Sequence, residues 1–357
     1  MTDPGVNADE LLDEEALETY LREHVGSDGP LHTERHLEGH SNETLFVTWG
    51  NREFVLRRPP LGETEETAHD VLREYRVMTA LQDTDVPVPP TVAACDDETV
   101  IGAEFFLTER LEGDVIRDEE PSRFREPEAR KRIGDELLDT LAAIHDTDYE
   151  AVGLDDFGQP DGYLKRQVGG WRKQLEQWLL PETEQHRELP HVREVGAWLA
   201  ENVPREADHT LVQGDFKLDN VMFGPEASPE LIGVFDWEMS TLGDPLADLG
   251  WLLRFWRDVD DPDFGIPDEL APPVTTRTGY PTRRELVDGY EHRTGRAFVN
   301  PRFYRTLAEY KITVACEAMY LRYVTGASDD PMYPLLEDAV PAMAERAKAV
   351  ADGDFQL

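Results

Sequence analysis

Leu211-Val212-Gln213-Gly214-Asp215-Phe216-Lys217-Leu218-Asp219-Asn220-Val221-Met222-Phe223 runs from an apolar, strand-like stretch through a polar turn into a second apolar stretch. A third apolar run, Leu231–Phe235, follows and ends in Asp236-Trp237-Glu238. The residue types at the turn and at that strand end carry distinct chemistry. Asp215 can orient or deprotonate an attacking hydroxyl. Asn220 and Asp236 offer a neutral and an anionic oxygen to Mg²⁺, a hard cation that prefers oxygen ligands. Lys217 can place a cation on a transferring phosphoryl group. The bland alternative is a polar turn in which Asp219-Asn220 merely redirects the backbone.

An Asp with an Asn five residues later, flanked by strands and followed by another strand-end Asp, is the catalytic-loop arrangement of kinases. The first third of the chain supplies the other parts such a site needs. Gly39-His40-Ser41-Asn42-Glu43-Thr44 lies between two strand-like runs, where backbone N–H groups and small hydroxyls can face phosphates. Arg57 closes the run FVLR at the position of a kinase strand lysine, and Glu74 in the next helix is its expected ion-pair partner. Arg58 is the rival for that pairing. Glu109-Arg110-Leu111-Glu112-Gly113 reads as the linker, with backbone available to the adenine edge.

Organisation along the chain agrees with two lobes around a cleft. Residues 9–24 read as an amphipathic helix, and 31–112 look strand-rich. Within that stretch, residues 45–49 and 54–57 flank the turn signal Gly50-Asn51, and a helix is expected over 68–81. The runs 99–101 and 104–108 are expected to complete a small sheet. Helical periodicity dominates from residue 126, with helices expected at 128–145, 163–180, 191–202, 245–256, 284–293, 301–323 and 333–350. One β-hairpin, at 209–238, interrupts them. The expected division is an acidic N-terminal helix (1–30), a nucleotide-binding sheet lobe (31–112) and a helical lobe (113–357).

Composition restricts partners and compartment. Asp and Glu total 75 against 35 Lys and Arg, a formal charge of −40, which would repel nucleic acid or an anionic membrane. No apolar run is long enough to span a bilayer, and the N-terminus lacks the features of a signal peptide, so a cytoplasmic protein is expected. Cys95 and Cys316 are too few for a disulfide framework or a zinc cluster. Acids are spread along the whole chain and Lys is scarce, six against 29 Arg, which suits a surface working in high salt. Oligomeric state leaves no signature.

The segments LVQGDFKLDNVMF and VFDWEMSTLGDPLADLGW resemble the aminoglycoside phosphotransferase (choline kinase-like) family of the protein-kinase-like fold. FVLRRPP, REYRVMTAL, FFLTERLEG and AVGLDDFGQPDGYL are most similar to its branch of kinase-like domains fused to acyl-CoA dehydrogenases. The resemblance runs from about Leu31 to the C-terminal helices. It implies an α+β fold with a small antiparallel sheet lobe and a larger helical lobe. It also implies ATP- and Mg²⁺-dependent phosphorylation of a hydroxyl on a small molecule. Asp215 would be the base, Asn220 and Asp236 the metal ligands, Arg57 and Glu74 the phosphate-positioning pair, and Gly39–Thr44 the phosphate loop. The branch tilts the acceptor towards a hydroxy acid or hydroxyacyl thioester, with cationic amino-alcohols and aminoglycosides as alternatives. The family usually carries His where this chain has Gln213, an internal strut whose amide can still donate and accept. That departure is what favours a competing reading, a catalytically impaired nucleotide-binding scaffold. A protein kinase fits less well, because no activation segment separates Asp236 from the next helix.

Several features compete for attention. Asp156-Phe157-Gly158 and Asp263-Phe264-Gly265 both spell the protein-kinase metal tripeptide, but neither follows a strand just after the loop. His32 and His36 lack a third ligand nearby. The acidic run 258–263 lacks the glycine and terminal glutamate of a calcium loop and reads as a solvated surface loop. Asp244 reads as a helix cap ahead of Pro245, Asp248 as a brace for the loop at 215, and Trp251, Phe255 and Trp256 as core or pocket wall.

Overall fold

The structure is a computed structural model that describes residues 11–26, 29–36, 42–60, 70–178, 187–205, 208–355 and 357. Its first part is a helix laid on a five-stranded antiparallel sheet. Helix α1 (Glu14–His24) starts at Asp13, whose carboxylate accepts from the Ala16 N–H, so Leu11 and Leu12 precede the helix expected to contain them. Strands β1 (Leu31–His36), β2 (Glu43–Trp49), β3 (Arg52–Arg58), β4 (Thr91–Cys95) and β5 (Phe105–Glu109) are ordered β1-β2-β3-β5-β4. Leu45, Val47, Trp49, Phe54, Leu56, Phe105 and Leu107 bury one face of that sheet against Leu11, Leu12, Leu17, Tyr20 and Leu21. The other face, carrying Phe46, Val55 and Arg57, is half-buried.

Residues 99–101 form no strand. The Asp97 carboxylate accepts from the Thr99 N–H at 2.9 Å and hydroxyl at 2.6 Å, and this local turn overrides the β-branched run. Helix α2 (Val71–Leu81), capped by Asp70, comes between β3 and β4 in sequence. Val71, Val77, Met78 and Leu81 nonetheless belong to the large core of the helical part, so α2 bridges both halves.

The remainder is mainly helical: α3 (Pro127–Asp146), α4 (Tyr163–Trp178), α5 (Pro190–Glu201), α6 (Pro245–Arg254), α7 (Arg283–Thr294), α8 (Pro301–Val324) and α9 (Leu336–Asp352). Four short strands sit among them. The expectation of a single hairpin over 209–238 is corrected. β6 (Thr210–Val212) pairs with β9 (Thr241–Gly243), and the hairpin is β7 (Val221–Phe223) with β8 (Leu231–Val234). The two ladders place the Gln213–Asn220 loop and the Phe235–Ser240 segment side by side. Among the described residues no helix is long and apolar enough to cross a membrane.

Candidate active site

Gln213, directly after β6, is fully buried and ties the loop to its neighbour. Its amide donates to the carbonyls of Phe235 (3.1 Å) and Asp236 (2.7 Å), and its oxygen accepts from the Asp215 N–H at 2.7 Å. All three bonds use capacity that a Gln amide possesses and one imidazole ring does not. Asp248, on α6, accepts the N–H groups of Gln213 (2.7 Å) and Gly214 (3.0 Å). The oxygen that accepts from Gln213 also meets His145 Nε2 at 3.4 Å, and His145 in turn bonds the Tyr290 hydroxyl at 2.7 Å. Gly214 has φ +88, and a Cβ there would lie 2.6 Å from the Met239 carbonyl oxygen, so only glycine fits. Asp244 caps α6 through the Leu246 N–H, while its other oxygen accepts from the Tyr304 hydroxyl at 2.8 Å.

The Asp215 carboxylate is held by three side chains. Lys217 Nζ lies 2.9 and 3.1 Å from its two oxygens, Asn220 Nδ2 donates at 2.7 Å and Trp251 Nε1 at 2.6 Å. Trp251 enters from α6, 36 positions away in sequence, and its polar role is absent from the sequence reading. Lys217, expected to face a phosphoryl group, is paired with Asp215. Burial would lower the Lys217 ammonium, but Asp215, with Asp219 and Asp236, outweighs it and raises the pKa.

Asn220 and Asp236 are joined through the backbone, since the Phe235 N–H donates to the Asn220 carbonyl at 2.8 Å. Because Asn220 Nδ2 donates to Asp215, its amide oxygen is the end left for an outside partner. Asp236 stands in the left-handed region at φ 58, ψ 62, one of two described non-glycine residues with positive φ. Such a conformation costs on the order of 1–3 kcal/mol and persists where surrounding contacts enforce it. Its Oδ1 is buried without a hydrogen-bond partner. Burial raises the Asp236 carboxyl, Arg57 opposes the rise and Asp215 adds to it.

Strand parity settles the two arginines. Alternation places Phe54, Leu56 and Arg58 on the face under α1 and Arg57 on the other. Arg58 donates to the carbonyls of Leu11 and Ile101. Arg57 Nε lies 3.5 Å from Glu74 Oε2, a charge contact in which neither atom makes a hydrogen bond. Burial pushes the Glu74 carboxyl up to about 7 against the pull of Arg57, with Asp236 adding to the rise. Arg57 is raised because Glu74, Asp236 and Glu238 outweigh its own burial.

This arrangement fits a magnesium ion. An unpartnered buried carboxylate oxygen on Asp236 and three carboxylates around one guanidinium leave local negative charge to be neutralised. Among the described residues no group of three His, Cys, Asp or Glu side chains can hold a metal. Mg²⁺ commonly takes one or two protein oxygens and completes its shell with substrate phosphates and water.

Asn42 is buried at the start of β2 with neither amide atom bonded among the described residues. Thr44 pairs with Arg57 across β2 and β3. Glu109 ends β5 with its side chain out towards Arg52 at 3.3 Å, and its N–H donates to the Pro90 carbonyl. Leu111 packs so closely on Gly233 that a Cβ there would meet it at 2.6 Å. Gly39, His40 and Ser41 lie outside the described residues.

The decoys have structural jobs. The Phe157 ring stacks under the Arg73 guanidinium at 3.7 Å, and Phe264 meets Phe355. Contrary to the solvated-loop expectation, Asp258 and Asp261 grip the buried Arg283 of α7. An arginine distant in sequence supplied the partner that the acidic run itself does not reveal.

Comparison with known proteins agrees with this geometry. Residues 32–286 match the model of the phosphotransferase enzyme family known as APH. A crystal structure from Ralstonia eutropha JMP134, described as a candidate aminoglycoside phosphotransferase, is 33% identical, with a TM-score of 0.79 over 96% of this chain and 99% of that one. Acyl-CoA dehydrogenase family member 11 of Rattus norvegicus is 34% identical over 94% of this chain but only 42% of its own length. The chain thus spans less than half of that relative. At the level of fold alone, a thermostable aminoglycoside phosphotransferase APH(4)-Ia in complex with AMP-PNP and hygromycin B is 17% identical, with a TM-score of 0.58 over 95% and 99% of the two chains. The chain belongs to the phosphotransferase enzyme family, with the kinase-like fold of the aminoglycoside phosphotransferases and relatives among the acyl-CoA dehydrogenase family members that carry such a domain.

Proposed function

We propose that this protein transfers the γ-phosphoryl group of ATP to a hydroxyl of a small molecule. The observation that carries the reading is the Asp215 carboxylate, fixed by Lys217, Asn220 and Trp251 in the same cluster as the unpartnered oxygen of Asp236. Residues 31–112, with the helix of residues 1–30, serve in this reading as the nucleotide lobe, and 113–357 as the acceptor lobe. Asn220 and Asp236 would hold Mg²⁺, which when bound neutralises charge on the β- and γ-phosphates.

Asp215 orients the acceptor hydroxyl and takes its proton as the oxygen–phosphorus bond forms and ADP departs. Arg57, anchored by Glu74, positions phosphate oxygens, and its planar fork suits them at least as well as a lysine. Gly39, Ser41, Asn42 and Thr44 would cover the phosphates, and the backbone at Glu109 and Leu111 would meet the adenine. Kinship with proteins that join this domain to an acyl-CoA dehydrogenase supports a hydroxy acid or hydroxyacyl thioester as acceptor. An acidic surface distributed over the whole chain supports cytoplasmic work at high salt without nucleic acid or membrane.

The test is ADP release from MgATP at high salt across a panel of hydroxy acids, hydroxyacyl thioesters, amino-alcohols and aminoglycosides. Asp215→Asn should slow the productive reaction about 10²–10⁴-fold with little change in melting temperature. Equal rates in parent and variant would remove phosphotransfer and leave the nucleotide-binding scaffold.

A further inference from the structure

Helix α8 runs behind the catalytic loop as one of the most buried elements of the protein, with Phe303, Tyr304, Leu307, Ala308, Tyr310 and Val314 all enclosed. Arg305, Glu309 and Glu317 are also enclosed on it, the two acids in ion pairs, and so is Lys311. Its side chain is only 7% exposed, and among the described residues it makes no ion pair. An ammonium has three N–H groups, and among the described residues its one acceptor is the Gly214 carbonyl at 3.4 Å. Its charge sits 4.4 Å from the centre of the Trp251 ring and 5.9 Å from that of Trp171. Burial lowers its pKa, Asp215 and Asp248 work against that, and Lys217 adds to it. A hydrophobic residue of the same length would fill this space without the cost of desolvating a cation.

We propose that Lys311 is a positioning residue that fixes Asp215 by two routes, through the peptide bond before it and through the Trp251 indole. The peptide joining Gly214 to Asp215 is gripped at both ends. Its N–H, that of Asp215, donates to Gln213 Oε1 at 2.7 Å, and its carbonyl, that of Gly214, accepts from Lys311. That leaves the plane from which the Asp215 side chain departs little freedom to rotate. The second route is electrostatic. A cation over an indole face is attracted to it and withdraws electron density from the ring, which makes the indole N–H a better donor. The N–H in question is the one 2.6 Å from Asp215 Oδ1. Seven residues before Lys311 on α8, the Tyr304 hydroxyl holds Asp244 at the start of α6, the helix that bears Trp251. One face of α8 therefore sets both the loop and the indole.

The activity arm of the test rests on the phosphotransfer reading above, and a spectroscopic arm does not. Lys311→Met keeps the bulk and removes the charge. It should lower kcat about 10²-fold, the scale of a small misplacement of a reacting group, while KM for MgATP and for the acceptor stays within about threefold. Its melting temperature should hold or rise, because a buried unpaired charge has gone. In Lys311→Ala, methylammonium or ethylammonium chloride should restore part of kcat, and tetramethylammonium, which has no N–H, should not. A parental kcat in Lys311→Met, or loss of kcat and stability together without rescue, would overturn the proposal.

In protein labelled with ¹⁵N in its tryptophans, the Trp251 indole signal is identified by its loss in Trp251→Phe. It should move upfield and exchange faster in Lys311→Met, and an unchanged signal would overturn the proposal independently of turnover. If the parent releases no ADP with any hydroxyl compound, phosphotransfer fails while this arm still decides the role of Lys311.

Discussion

Two groups of buried charge have opposite designs. In the helical core, one carboxylate serves two guanidiniums: Glu309 lies 2.5 Å from Arg254 and 2.8 Å from Arg346. Excess positive charge there is spread over the Phe355 ring, which Arg283, Arg305 and Arg346 face at 4.8–5.5 Å, and over main-chain carbonyls. In the cleft the ratio is inverted. Glu74, Asp236 and Glu238 surround Arg57, its contact with Glu74 is 3.5 Å, and an oxygen of Asp236 has no hydrogen-bond partner. The core group is drawn together by short charge contacts, although Arg254 Nε and Nη2, Glu309 Oε2 and Arg346 Nη2 make no hydrogen bond, whereas the group around Arg57 is short of positive charge. A fold tolerates such a deficit where a cation and a phosphate-bearing ligand complete the set.

The sharpest way to break this contrast is to neutralise one acid in each group. Asp236→Asn keeps the shape and suits the left-handed backbone. In the proposed reaction it removes a metal ligand whose contribution to charge stabilisation is worth several kcal/mol, so ADP release with the best acceptor should fall about 10³-fold. Without metal, the same variant should melt at a higher temperature than the parent, since a buried repulsive charge has been lost. Glu309→Gln should behave in the reverse sense. It strands two buried guanidiniums and should cost about 3–5 kcal/mol in urea unfolding, while protein that remains folded keeps its KM values. If both variants lost stability alike, the cleft would be an ordinary structural ion cluster.

What could be read from the sequence was what neighbours in sequence carry together. Asp215, Asn220 and Asp236 are spaced by turns and strand ends, so their convergence follows from local order, as does the choice between Arg57 and Arg58 once strand parity is applied. The strand Thr241–Gly243 was missed because three residues ending in glycine show no alternation, and its partner β6 lies 29 positions back. Residues 99–101 were misread because β-branched side chains suggest a strand, and the Asp97 side chain that bends them is polar and outside the run. Trp251 looked like packing because periodicity reports which face a ring occupies and says nothing of its N–H. Lys311 did leave a trace. It is one of several charged residues, with Arg305, Glu309 and Glu317, on the enclosed part of its helix, and such departures from binary patterning concentrate where a protein works.

The smallest effect tests the cleft through protons. The Glu74 carboxyl is raised by burial from 4.5 to about 7, so the folded protein holds a proton that the unfolded chain has released between those values. Stability contributed by this group is therefore fully present below about pH 4.5 and is lost as pH rises to 7. Glu74→Gln carries a permanent neutral analogue and escapes that loss. Measured in EDTA, the melting temperature of the variant minus that of the parent should climb as pH increases from 4.5 to 7, then level off by about pH 8. Added Mg²⁺ with ATP should flatten the climb, because positive charge beside Asp236 favours the ionised carboxylate and so lowers the Glu74 pKa in the parent. A difference that fell over the same interval would mean that Arg57 outweighs burial, and that the 3.5 Å contact closes into a full ion pair in solution, as tight as those of the helical core.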